Sequence, residues 1–99
     1  MPKVPNDLPV IKLRNIGPTC EKDLHSAGIR TAGDIRKLGA KEAFLRLMVA
    51  REKSGRGGTC YNAAYLYALY GAIHDLDWRE IPEKKRDEFK AFTAELREG

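Results

Sequence analysis

The sequence predicts an all-α domain of about five short helices packed around a buried fourth helix. Three observations lead there. Apolar residues recur at three- and four-residue spacings in successive windows. No run alternates apolar and polar long enough to read as a strand. Glycine, proline and a Thr-x-x-Asp signal bracket the periodic windows, where helices start and stop.

Residues 1–12 hold Pro2, Pro5 and Pro9. Each removes a backbone donor and disfavours helix in the residue before it. They predict an extended arm that touches the body at Val10, Ile11 and Leu13, with residues 13–99 as a single domain. The first helix follows Gly17. Pro18 suits its first position, where the missing N–H would be unpaired anyway. Glu21 and Asp23 are placed in or beside its first turn, where the helix dipole favours acids. Gly28 closes it in the left-handed conformation, and Ile29 returns to the core. Thr31 caps the second helix with Asp34 three residues on, and Leu38-Gly39 ends it.

A third helix is expected from Lys41 to Lys53. Phe44, Leu47, Met48 and Arg51 fall at i, i+3, i+4 and i+7 of its core-facing stripe. The run Ser54 to Gly58 breaks it. Thr59 can cap a fourth helix, Cys60 to Ile73, which is apolar nearly all round and therefore central. Its alanines and Gly71 allow close approach by neighbours. Trp78 plugs the following turn, and Pro82 opens a last helix to Leu96 with Phe89, Phe92 and Leu96 on its buried face.

At 99 residues, 42% hydrophobic and 32% charged, the chain has the composition of one globular domain. A domain this size buries roughly two-thirds of its unfolded surface, enough for one core. A two-domain enzyme or an eight-stranded α/β barrel does not fit. No stretch reaches the ~20 apolar residues of a membrane span. The segment Met1 to Asp7 has no signal-peptide core behind it, so a cytoplasmic location is expected. Cys20 and Cys60 lack metal-ligand spacing and are expected as reduced thiols. No catalytic residues, metal site or cofactor are expected. His25 and His74 sit near the ends of the first and fourth helices, where they can favour the dipole. Asp75, Asp77 and Glu80 read as solvent-facing charge.

The net charge of +4 is uneven. Residues 1–58 carry 12 Lys or Arg against 6 Asp or Glu, and residues 59–99 carry 6 against 8. A basic half can steer an anionic partner. Gly17-Pro18 could form a tight turn aiming backbone N–H groups at a phosphate, as in helix-hairpin-helix domains. Lys12, Arg14 and Lys22 would flank it. Arg51, Lys53 and Arg56 are further candidate contacts. Two departures from the hairpin signature count against this use: Asn15 replaces its first glycine and Glu21 its alanine. Asn adopts left-handed geometry with comparative ease, whereas a first-turn carboxylate competes for the helix end. The alternative is a capped turn that holds two helices together.

A protein interface is the other reading. Tyr61 and Tyr65 share one face of the fourth helix, Tyr67 and Tyr70 another. An uncovered aromatic strip would favour a two-fold dimer. Its rival is a monomer in which the arm from Val4 to Val10 covers the strip.

Two segments together carry a family resemblance. The first is Leu13-Arg14-Asn15-Ile16-Gly17-Pro18, then Leu24, Ala27-Gly28-Ile29-Arg30-Thr31 and Asp34-Ile35. The second is Leu66 to Ile73, then Trp78, Ile81-Pro82 and Arg86, with Leu38-Gly39-Ala40 between the two. In order and spacing they resemble the C-terminal domain of TfoX (Sxy) competence regulators, over residues 10–96. The resemblance implies a helix-hairpin-helix-like, non-enzymatic domain linked to DNA uptake or its transcriptional control. The resemblance spans nearly the whole chain, which therefore looks like a stand-alone copy of that domain; its expected partner is nucleic acid, from the basic half, or a regulatory protein, from the aromatic fourth helix.

Overall fold

The computed structural model describes residues 5–54 and 63–98. Five helices follow one another: α1 Pro18–Ser26, α2 Ala32–Leu38, α3 Ala40–Ser54, α4 Ala63–His74 and α5 Glu83–Glu98. Short 3-10 turns stand at Val10–Lys12 and Trp78–Glu80. There is no strand among the described residues; Pro9 and Thr31 make one isolated bridge. The all-α expectation holds.

The helix ends follow from local chemistry. Pro18 is at the start of α1. At its end Gly28 takes φ 83°, and the Ile29 N–H returns to the Leu24 carbonyl at 2.8 Å. That reversal buries Ile29, which is 1% exposed. Thr31 caps α2 with a full capping box, its hydroxyl accepting from the Asp34 N–H while the Asp34 carboxylate accepts from the Thr31 N–H. The Arg30 and Thr31 N–H groups together hold the Asp34 carboxyl below its usual range.

The N-terminal segment does more than touch the body. The Ala32 and Gly33 N–H groups, left without partners by helix geometry, donate to the Leu8 and Asn6 carbonyls, each at 2.8 Å. The Val10 N–H donates to the Arg30 carbonyl at 3.0 Å, and Val10 is fully buried. These bonds run to the start of α2, not to the tyrosines of α4. The prolines explain the choice: a chain that cannot form helix offers free carbonyls, and α2 has free donors.

Helices α3 and α4 share the centre. α3 packs against α1, α2 and α4; α4 packs also against α5 and the Trp78–Glu80 turn. Phe44, Leu47 and Met48 from α3 meet Leu66 and Leu69 from α4. Leu24, Ile35 and Phe89 close the core from α1, α2 and α5. Gly71 is required where it stands, because a Cβ there would collide with the Leu76 carbonyl oxygen and the Asn15 side chain. Cys60, Tyr61, the Thr59 cap and the side chain of Trp78 lie outside the described part.

Candidate functional site

The candidate phosphate cradle is the turn at Gly17-Pro18, and Leu13 to Ile16 lead into it. Asn15 has φ 69°, so it does occupy the left-handed position of the missing glycine. Its side chain points inward. The Asn15 amide donates to the Leu76 carbonyl at 3.0 Å and to the Ala68 carbonyl at 3.4 Å. Arg14 donates through Nε to the Asp75 carboxylate at 3.0 Å. The turn is thus a joint holding the end of α4. Asp75, expected only as solvent-facing charge, is one of its partners. Asp77 and Glu80 form a capping box on the next 3-10 turn, and Arg79 holds the Asp77 carboxyl below its usual range.

Behind this turn, Gly17 to Cys20 and Tyr65 border a hollow of about 280 Å³. Gly17 caps α1 without any side-chain acceptor. Inside sits an ion pair: Arg51 Nη1 lies 3.4 Å from Asp23 Oδ2, with side chains 16% and 1% exposed. The Arg51 guanidinium also lies over the Tyr65 ring, 5.1 Å from its centroid. Asp23 is therefore a buried partner deep in α1, not a first-turn acid, because its position on the helix faces α3. Burial pushes the Cys20 thiol up to about 11 despite Arg51, so it stays protonated. In this hollow the cation is balanced internally, and little positive field is left for an anion.

A second, more open groove of about 560 Å³ lies between the α2–α3 junction, the end of α4 and α5. Its floor is apolar and half-buried: Leu38, Leu45, Tyr70, Ile73 and Phe92. Lys41 and Lys85 stand over it. Lys41 bonds Glu88 at 2.8 Å and lies 5.3 Å from the Phe92 centroid. Lys85 bonds the same carboxylate at 3.4 Å and lies 5.9 Å from the Tyr70 centroid. The two lysines hold the Glu88 carboxyl below its usual range. His74 packs on Tyr70, with ring centroids 4.2 Å apart. Desolvation first, then Lys85, pushes its pKa down. It therefore takes up a proton less readily than a free imidazole.

The remaining candidates scatter. Lys12 and Lys22 are exposed. Lys53 borders a different hollow, with Ser26, Arg46 and the exposed Val49. Arg56 lies outside the described residues, as does Tyr61. Tyr65 meets Arg51, whereas Tyr67 and Tyr70 pack against Phe89 of α5 at 6.2 and 5.5 Å. Sixteen residues of α5 supply the cover that the short first helices could not. Sequence reasoning missed Asp23 as a partner and the groove as a whole. The signal for Asp23 was Arg51 itself, a cation on an apolar stripe. Among the described residues no group of three or more His, Cys, Asp or Glu could hold a metal. No described helix is long and apolar enough to cross a membrane.

Two crystal structures of Listeria monocytogenes proteins are similar to this chain. One, of an uncharacterised protein in a triclinic form, is 37% identical, with a TM-score of 0.76 over 90% of this chain and 93% of the other. The second, of a protein of unknown function in a tetragonal form, is 37% identical, with a TM-score of 0.74 over 88% and 98%. No curated protein matches. The family model of the TfoX C-terminal domain matches residues 7–93. That span takes in the docked N-terminal segment, the Asn15 joint and most of α5, and the chain belongs to the TfoX C-terminal domain family.

Proposed function

We propose that this chain is a non-enzymatic regulatory domain of the bacterial cytoplasm that binds another protein, in the control of DNA uptake or its transcription. The observation that carries the reading is the engagement of the hairpin turn: Arg14 is paired with Asp75, and the Asn15 amide is bonded to Leu76. A turn that holds α4 has fewer groups to offer a phosphate. The apolar groove, about 560 Å³, is larger than the hollow of about 280 Å³ behind that turn. A non-enzymatic role is supported by three side chains of commonly catalytic type among the described residues. The Cys20 thiol is kept protonated, and His74 is stacked on Tyr70. His25 lies 3.9 Å from Glu21 in its own helix.

Nucleic acid is the second reading. It is favoured by the exposed Lys12 and Lys22 beside a helix start without a side-chain cap. One experiment separates the two: affinity capture from the native cytoplasm with and without nuclease. A defined protein retained after nuclease supports the adaptor. Loss of all capture on nuclease treatment refutes it. Fluorescence anisotropy on duplex DNA then gives the salt slope, about −0.9 per phosphate contact.

A further inference from the structure

Resting on the protein-binding reading, we infer that the groove between the α2–α3 junction, α4 and α5 docks an acidic amphipathic helix of a partner protein. The floor sets the first requirement. Leu38, Leu45, Ile73 and Phe92 are half-buried and come from four different helices, so they form a shaped apolar surface rather than one helix stripe. An α-helix fills such a groove by placing residues at i, i+3 or i+4, and i+7 into it.

Charge sets the second requirement. The cations on and beside the rim are Arg36, Lys41, Arg46 and Lys85; the acids are Glu42 and Glu88. Each acid is already engaged, and so are the cations: Arg36 bonds the Asn6 side chain at 2.8 Å, and the others share the two carboxylates. Glu42 bonds Arg46 at 3.2 Å, and Glu88 bonds both lysines. Lys41 and Lys85 share the single Glu88 carboxylate, so the rim keeps an excess of positive charge over an apolar floor. The Lys41 and Lys85 ammonium groups lie over the Phe92 and Tyr70 rings, so their positive charge sits directly against the floor. A carboxylate arriving with a partner helix meets cations close to the apolar surface, where screening by water is weaker than on an open face.

A second copy of the chain fits less well. Its α5, the longest helix among the described residues, carries as many bases as acids, so it offers no matching charge. Duplex DNA brings negative charge but no apolar ridge to fill the floor.

The test selects displayed random peptides of about four helical turns against the intact chain. Selection is repeated on a variant carrying Arg36→Glu and Lys85→Glu. Both side chains lie at the rim, and thermal unfolding confirms that the variant folds; Lys85→Glu alone serves if the pair does not. Peptides selected on the wild type should carry apolar residues at helical spacing flanked by Asp or Glu. They should bind the variant at least about tenfold more weakly, since like charges now face each other. Peptides selected on the variant should carry Lys or Arg instead.

Selection of no peptides, or of peptides without an acidic bias, overturns the inference. So does equal binding by the variant, or displacement of the peptides by duplex DNA at stoichiometric concentration. Nuclease-resistant capture of a cytoplasmic protein by wild type and variant alike would leave the protein-binding reading standing and remove this groove. Loss of capture on nuclease treatment would remove the reading itself.

Discussion

Two hollows of this domain, behind the α1 start and beside α5, contain the same kinds of residue and use them differently. At the start of α1, Arg51 is turned inward onto Asp23 and Tyr65. In the groove beside α5, Lys41 and Lys85 ride over Phe92 and Tyr70 at the solvent edge. Arginine suits the first place because its weakly hydrated, planar guanidinium tolerates burial and stacks on a ring. Lysine suits the second because its ammonium holds its water. The difference separates cations that hold the fold together from cations that can still meet a partner.

Breaking the inner pair has the largest expected effect. Asp23→Ala leaves Arg51 mostly buried without its carboxylate and should cost about 3 kcal/mol, in urea unfolding. Replacing both, Asp23→Leu with Arg51→Met, should recover most of that loss, because a packed apolar pair needs no desolvation of charge. If Asp23→Ala is neutral, the pair is not structural and the contrast between the hollows fails. Reversing Lys85 in the groove should by comparison leave stability nearly unchanged.

The Asn15 joint is the next test. Asn15→Gly restores the residue that a hairpin signature would have and keeps the left-handed backbone free. It also removes the bonds to Leu76 and Ala68. Loss of about 1 kcal/mol is expected in the same unfolding measurement. A neutral or stabilising result would mean that Asn15 is only a substitute glycine, and the turn would again be open to a phosphate.

Gly28→Val isolates the backbone. Its φ is 83° and a Cβ there meets nothing within 4 Å, so no clash contributes. The expected loss is about 1–2 kcal/mol, the cost of left-handed geometry for an L-residue, read as a lower unfolding midpoint.

These cases also mark what was legible in the sequence. Pro18, Gly28 and the Thr31–Asp34 box act within one turn of chain, so residue type and spacing were enough to place α1 and α2. Asn15 was half legible. Its backbone role is intrinsic to asparagine, but its hydrogen bonds cross 61 residues to Leu76. The Asp23–Arg51 pair joins two helices 28 residues apart, and only the misplaced arginine hinted at it. The groove was not legible at all. Its walls come from four helices whose mutual placement no local pattern encodes.

The smallest expected effect concerns pH and sharpens the outer side of the comparison. His74 lies among Tyr70, Lys85 and Glu88 around the groove. Desolvation, with Lys85 second, lowers its pKa from the ordinary 6.5, so the folded chain binds a proton there less readily than the unfolded chain. Stability tied to His74 is therefore complete above pH 6.5 and is lost as pH falls through the lower folded value. His74→Gln keeps a polar, neutral side chain and removes that dependence. Between pH 7.5 and 5 the wild type should lose more stability than the variant, and the difference between the two curves cancels the carboxylates they share. A difference of the opposite sign would mean that protonated His74 is favoured in the fold, with Glu88 outweighing the cations of the rim. Parallel curves would mean that the ring at the end of α4 stands in water, and that the groove edge is less desolvated than its geometry implies.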